Sequence, residues 1–258
     1  MLKIGVIGCG AIGAQICRAI DSGSIHAQLV GMYDRSAQHC ENLYGSLESK
    51  PTISSPAELV KKADIVVECA SQAAVCEYGL LVLESGKDLM VMSVGAFMDE
   101  KLLEEFVHAA RKNDCKIYVP SGAIAGIDGL RSAKVASIEK VEISTTKNPK
   151  GLGGAPFIIE NNIDLFSFHE RTLIFEGNAK EAVMAFPANV NVAASLSIAG
   201  IGSEDTRVKV FIDPEASRNI HEITVEGDFG NFTCRIENVP SPDTVSYTHL
   251  TLPTIYSV

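Results

Sequence analysis

The stretch Ile4-Gly5-Val6-Ile7-Gly8-Cys9-Gly10-Ala11-Ile12-Gly13 decides the fold. An apolar run ends in Gly-x-Gly-x-x-Gly and passes directly into a helical pattern. A strand feeding a glycine turn feeding a helix is the shape that holds a dinucleotide pyrophosphate. Gly8 allows the tight turn, Gly10 lets the backbone approach the phosphates, and Gly13 lets the helix pack close on the strand. The phosphates then meet the free N–H groups and positive dipole end of a helix that opens at Ala11 and Ile12. Glycine spacing of this kind also arises by chance, so its context matters. A second apolar run, Leu29-Val30-Gly31-Met32-Tyr33, ends at Asp34. That is roughly twenty residues past the last glycine, where an acid binding both ribose hydroxyls is expected. Arg35 follows and is placed to pair with the extra phosphate of NADP or to stand as a loop cation. Both NAD and NADP therefore stay open as cofactors.

Outward from this corner the chain alternates strand and helix. The helix from Ile12 aligns Ile12, Ile16, Ala19 and Ile20 on one stripe. Helices are expected at residues 37–43, after Pro56, at 73–85 and at 100–113. Buried strands are expected at 63–71, 88–92 and 116–119. The alternation predicts a parallel sheet with helices on both faces. Ligands collect at the carboxyl ends of such strands, so Ala70, Ser71 and Gln72 are candidate cofactor contacts. The strand ends at Ser93-Val94-Gly95-Ala96 and Pro120-Ser121-Gly122-Ala123-Ile124-Ala125-Gly126 are built of small residues and leave room for a nicotinamide and a small substrate. Ala123 is counted with the cofactor contacts. Glu68 and Asp64 flank a buried strand and read as solvated strand-end acids.

Near Gly122 the rhythm changes. Residues 140–146, 207–213, 220–226 and 230–236 alternate at period two, as strands with one wet face do. Helices are expected at 128–136, through 179–186 and after Asn189. The chain thus reads as α/β: an N-terminal Rossmann-type parallel sheet over residues 1–122, then an α+β domain with a mixed or antiparallel sheet over 123–242 that carries substrate residues and pairs subunits. Residues 243–258 form an atypical tail with no helical period.

The 258 residues carry a formal net charge of −10. That disfavours a nucleic-acid backbone or an anionic membrane surface as partner. No apolar run is long enough to cross a bilayer, and the first residues lack a signal-peptide pattern. The seven cysteines are odd in number and irregular in spacing. They predict neither a disulfide framework nor a metal site, and they fit a reducing cytoplasm.

His221 lies in a strand pattern just after Arg218-Asn219. A strand histidine serves either structure or proton transfer, and an imidazole neutral near pH 7 suits proton abstraction from an ammonium and activation of water. Lys147 in a basic loop, Arg218 beside His221, and Arg171 are candidate cations for substrate carboxylates. Asn191 opens a helix, as a cap or as a partner for an amide. His26, His39, His108, His169 and His249 have no comparable setting.

With these residues set out, the chain resembles the L-aspartate dehydrogenases over roughly residues 1–242. The segments that carry the likeness are Gly8-Cys9-Gly10-Ala11-Ile12-Gly13, Glu68-Cys69-Ala70-Ser71, Met92-Ser93-Val94-Gly95-Ala96, Pro120-Ser121-Gly122-Ala123-Ile124-Ala125-Gly126, Phe175-Glu176-Gly177-Asn178-Ala179, Phe186-Pro187-Ala188-Asn189-Val190-Asn191, Arg218-Asn219-Ile220-His221-Glu222 and Glu237-Asn238-Val239-Pro240. The resemblance implies NAD(P)-dependent oxidation of L-aspartate to iminoaspartate, hydrolysed to oxaloacetate and ammonia, with the imine able to feed synthesis of the NAD ring. It implies cofactor contacts at Ala125 and Asn191, and a catalytic role for His221. After Pro242 the family continues differently from this chain. A two-domain reductase of the lysine-pathway type and a nucleotide-binding sensor without turnover are the alternatives. A homodimer or larger assembly is expected.

Overall fold

The computed structural model describes residues 1–187 and 191–239. The expected tail at 243–258, with His249, lies outside them, as do Asn189 and Val190. The described chain divides into two compact units, Met1–Pro120 and a second that begins at Ser121.

The first unit is a six-stranded parallel sheet in the order β3-β2-β1-β4-β5-β6. Its strands are β1 (Leu2–Ile7), β2 (Ala27–Tyr33), β3 (Thr52–Ile53), β4 (Ile65–Glu68), β5 (Asp88–Val91) and β6 (Ile117–Tyr118). Central β4 is buried at every position, as expected of a strand covered on both faces. The helices are α1 (Ala11–Asp21), α2 (Ala37–Ser46), α3 (Pro56–Lys62), α4 (Gln72–Glu84) and α5 (Glu100–Lys112). Helix α1 buries Gly13, Ile16, Cys17 and Ile20. Asp99 caps α5 by accepting from the Lys101 and Leu102 amides. Gly79 of α4 lets α5 approach, because a Cβ there would strike the Phe106 ring. Phe106 in turn stacks edge-on against Phe97 at 5.3 Å.

The second unit is a five-stranded mixed sheet, ordered β11-β10-β7-β9-β8. It comprises β7 (Ile138–Lys147), β8 (Thr172–Asn178), β9 (Thr206–Ile212), β10 (Asn219–Gly227) and β11 (Gly230–Asn238). Strand β7 runs parallel to β9, while β10 is antiparallel to β7 and β11. Helices α6 (Ile127–Ala133), α7 (Pro156–Glu160), α8 (Ala179–Ala185) and α9 (Asn191–Ala199) belong to it, and α8 and α9 pack against β9.

Alternation gives the mixed sheet two unlike faces. On one, Val141, Ile143, Val208, Val210, Ile223 and Val225 are all buried. The other carries Lys209 between Glu142 and Glu176, and Arg235 paired with Glu222 and Glu237. Strand β8 was not expected from the sequence; only the helix after it was. Asn178 ends the strand and starts the helix, in a reciprocal capping box with Glu181.

Candidate active site

The nucleotide end of the first unit is built by the turn between β1 and α1. Gly8 has φ of +105°, and a Cβ there would meet the backbone of Cys69 and Ala70. A Cβ on Gly13 would collide with the Gly8 carbonyl. Gly10 differs: nothing lies within 4 Å of where its Cβ would be. The tight positions are closed by protein and the middle one faces open space, as a phosphate cradle requires. The first turn of α1 holds no acidic residue, and its leading N–H groups lack intrahelical partners. These residues fit a dinucleotide.

Asp34 stands at the end of β2. Its Oδ2 accepts from the Cys9 amide at 2.8 Å and its Oδ1 from the Ser36 amide at 2.8 Å. The ribose acid is thus locked to the glycine turn. His39, on α2, brings Nδ1 to 3.5 Å from Asp34 Oδ1, a neighbour the sequence reading missed. Arg35 is exposed.

Glu68 corrects the sequence reading. It is not a solvated strand-end acid but is 2% exposed. Its Oε1 accepts from the Ala70 and Ser71 amides at 2.8 and 2.9 Å and from Ser93 Oγ at 3.0 Å, while its Oε2 accepts from the Ser93 amide at 3.1 Å. One carboxylate therefore ties the loop after β4 to the loop after β5. Burial raises its carboxyl above the ordinary value, against these donors, which lower it. Asp64 is exposed as expected and accepts from the Lys3 amide. Ser71 caps α4 through the Ala74 amide.

In the second unit, a polar corner interrupts the apolar face of the mixed sheet. Register sets His221 of β10 opposite Thr145 of β7, and Thr145 Oγ1 lies 3.0 Å from His221 Nδ1. Lys147, two residues on from Thr145, shares its face. Thr145, Lys147, Asn219, His221 and Asn238 are all buried. Burial lowers the Lys147 ammonium to about 8. Burial, and then the Lys147 charge, lower His221 to about 3. His221 is therefore a neutral imidazole throughout the physiological range. Asn148 holds the loop entering β10, donating to the Pro214 and Ala216 carbonyls. Across from Asn219, at the end of β11, Asn238 donates to the Ala123 carbonyl at 2.9 Å. That bond fixes the 121–126 loop, in which Ala123 is buried and Ala125 exposed.

Two expected cations lie elsewhere in this unit. Arg218 is exposed and precedes β10, outside the buried corner. Arg171 donates from Nε to Thr146 Oγ1 at 3.3 Å and stacks its guanidinium 3.6 Å over the Phe211 ring. Thr146 and Phe211 alternate away from Thr145 and Val210, so Arg171 serves the face opposite His221. Of the three cations only Lys147 joins the histidine.

The comparisons with known proteins bear on both units. Residues 8–120 match the family model for the homoserine dehydrogenase NAD-binding domain, and residues 128–257 match that for the aspartate dehydrogenase C-terminal domain. The L-aspartate dehydrogenase of Methanococcoides burtonii is 55% identical over 251 residues, covering 97% of this chain and 93% of that protein. The L-aspartate dehydrogenase of Methanosarcina acetivorans is 50% identical over the same coverage. The chain belongs to the L-aspartate dehydrogenase family. The crystal structure of aspartate dehydrogenase from Thermotoga maritima superposes with a TM-score of 0.74 at 29% identity, over 100% of this chain and 93% of that one.

For this aspartate dehydrogenase family member, the buried imidazole has a consequence for stability. In the unfolded chain it is protonated below about 6.5, whereas in the folded chain it stays neutral down to about 3. The unfolded state binds the extra proton in that window, so the contribution is present above 6.5 and lost as pH falls. At about 1.4 kcal/mol per unit, cooling no other variable and taking pH from about 7 to about 4.5 removes about 2 to 3 kcal/mol through this group. Urea unfolding of wild type and His221→Asn at both pH values is expected to show that much less acid sensitivity in the variant. Equal slopes would mean that the imidazole is not buried neutral.

Proposed function

We propose that the chain catalyses NAD(P)-dependent oxidation of L-aspartate to iminoaspartate, which hydrolyses to oxaloacetate and ammonia. The observation that carries the reading is the neutral His221 held by Thr145 beside the buried cation Lys147, in a member of this family. The Rossmann-type domain, residues 1–122, takes the nucleotide. Gly8, Gly10, Ala11, Ile12 and Gly13 receive its phosphates, and Asp34 takes the ribose. Arg35 is the residue that admits the extra phosphate of NADP. Ala70 and Ser71, with Ala123, Ala125 and Asn191, are the remaining cofactor contacts. A bound nicotinamide would supply the acceptor for the hydride that leaves the substrate α-carbon.

The chain's own residues handle charge and protons. Lys147 attracts a substrate carboxylate, and the cluster gives no support to Arg218 or Arg171 in that role. His221 acts at Nε2. For that atom to accept a proton, Nδ1 must carry the hydrogen and donate it to Thr145 Oγ1, so Thr145 selects the useful tautomer. A base lowered to about 3 is weak. Lys147 is the second cause of that lowering, and a bound diacid offsets its charge. Substrate binding thus strengthens the base that acts on it. Nε2 first takes the ammonium proton and gives it up to solvent; neutral again, it takes one from the water that attacks the imine.

We assign the protein to the cytoplasm on its seven free thiols; no helix among the described residues is long and apolar enough to cross a membrane. We further propose a homodimer or larger assembly formed through the α+β domain, residues 123–242, and a supply of imine to NAD-ring synthesis.

The test is steady-state turnover with a panel of L-amino acids and both cofactors. Reduced nicotinamide is expected to form with L-aspartate and at least one cofactor. No aspartate-dependent signal from folded, full-length protein would end this reading.

A further inference from the structure

We propose that Asn219 reads the distal carboxylate of the amino-diacid substrate, its amide nitrogen donating to a carboxylate oxygen near the Lys147 ammonium. The inference rests on L-aspartate as substrate and adds the residue that selects for its second carboxylate.

Asn219 is 4% exposed, and among the described residues its Nδ2 has no hydrogen-bond partner. Buried amide nitrogens are nearly always paired, because one left without an acceptor costs its full desolvation. This one opens β10 in the polar corner already described. Strand alternation sets Asn219 on the same face as His221. Ile220 pairs with Thr146, so the next step of the antiparallel register sets Asn219 across from Lys147.

The chemistry of the missing partner follows. An amide N–H and an ammonium are both donors, and the ammonium is cationic. Together they call for an anionic oxygen and reject a cation or an apolar group. The spacing points to which carboxylate. Two residues along a strand span roughly 6.5 Å. With His221 at the amine, the distal carboxylate of a four-carbon amino diacid comes nearer to a group that distance away than the α-carboxylate does. An amino acid without the second carboxylate leaves the amide nitrogen unpaired, and a site built to hydrogen-bond a group discriminates strongly against the analogue lacking it.

The test uses full-length Asn219→Ala and Asn219→Asp. Four quantities are read: KM and kcat for L-aspartate, the inhibition constant of succinate, nucleotide affinity, and the melting temperature. Succinate carries both carboxylates and no amine. In Asn219→Ala, KM and the succinate constant are expected to rise together about 10- to 100-fold, the loss of one hydrogen bond to a charged group. The expected change in kcat is less than about threefold, with nucleotide affinity unaltered. The melting temperature is expected to hold or rise, because alanine removes an unpaired buried amide; a purely structural asparagine would give a fall. Asn219→Asp keeps the shape and sets a negative charge against the incoming carboxylate, so its loss should exceed that of alanine. If alanine does not fold, the isosteric aspartate variant decides. A KM and a succinate constant that both stay within about threefold of wild type in either folded variant would overturn the proposal. Wild type that binds succinate but does not oxidise L-aspartate would strike the substrate assignment, and the succinate comparison would still judge Asn219.

Discussion

His221→Asn is expected to lower turnover of L-aspartate by about 10²- to 10⁴-fold, the range for loss of a general base. Asparagine is chosen because its amide can still meet Thr145 Oγ1, which lies 3.0 Å from Nδ1 in the wild type. The variant therefore keeps the strand pairing and one polar contact and loses the far ring nitrogen. Nothing in the first unit is touched, so nucleotide affinity should stay within about twofold. Stopped turnover with intact nucleotide binding separates a proton-transfer role from a collapse of the fold. Turnover close to wild type would remove His221 from the mechanism. A parallel fall in nucleotide affinity would instead make it a structural residue. Thr145→Val offers an internal check: it takes away the oxygen that fixes Nδ1, so its loss should be real but smaller than that of the histidine itself.

The sequence made some of this legible for a local reason. Gly8, Gly10 and Gly13 act within one turn, and the strand that feeds them and the helix that leaves them are contiguous. Their backbone demands can be read from spacing alone. Asp34 was found by the same logic, at the end of the next strand. What spacing could not show is what holds Asp34: the Cys9 amide, 25 residues earlier in the chain, fixes the carboxylate.

The polar corner was less legible, because it exists only through register. Thr145 and His221 are 76 residues apart, and only pairing of β7 with β10 makes them neighbours. A histidine in a period-two pattern gives its face but not its partner. The same limit misplaced the cations. Arg171 reads as a candidate cation for a substrate carboxylate, yet its ring partner Phe211 lies on β9 and turns it to the other face. Arg218 is close to His221 in sequence, but it is exposed and precedes β10. Asn219 was passed over because an asparagine at a strand edge resembles any turn residue. Its signal is a missing hydrogen bond, which no sequence pattern records. Strand β8 was missed because Glu176-Gly177-Asn178 reads as helix-start chemistry, which it also is.

Glu68 shows the same limit at the nucleotide end, and replacing it should have the largest effect on stability. The side chain receives three backbone N–H groups and one hydroxyl, from the loops that follow β4 and β5. In Glu68→Ala the Ala70, Ser71 and Ser93 amides lose their acceptor in a part-buried place. At about 1 to 3 kcal/mol for each unsatisfied donor, with some relief from entering water, the expected loss is about 3 to 5 kcal/mol. Glu68→Gln should be milder. Three of the four bonds end on Oε1, and a glutamine carbonyl placed there keeps them; its NH2 then faces the Ser93 amide, donor against donor, at about 1 to 2 kcal/mol. Urea unfolding measures both losses, and nucleotide titration measures their reach. Because the Ala70 and Ser71 amides both donate to this carboxylate, nucleotide affinity should fall in the order wild type, glutamine, alanine. An alanine variant within about 1 kcal/mol of wild type would show that the loops hold their shape without Glu68. Alanine and glutamine with equal losses would mean that the negative charge, rather than the count of bonds at Oε1, keeps the two loops together.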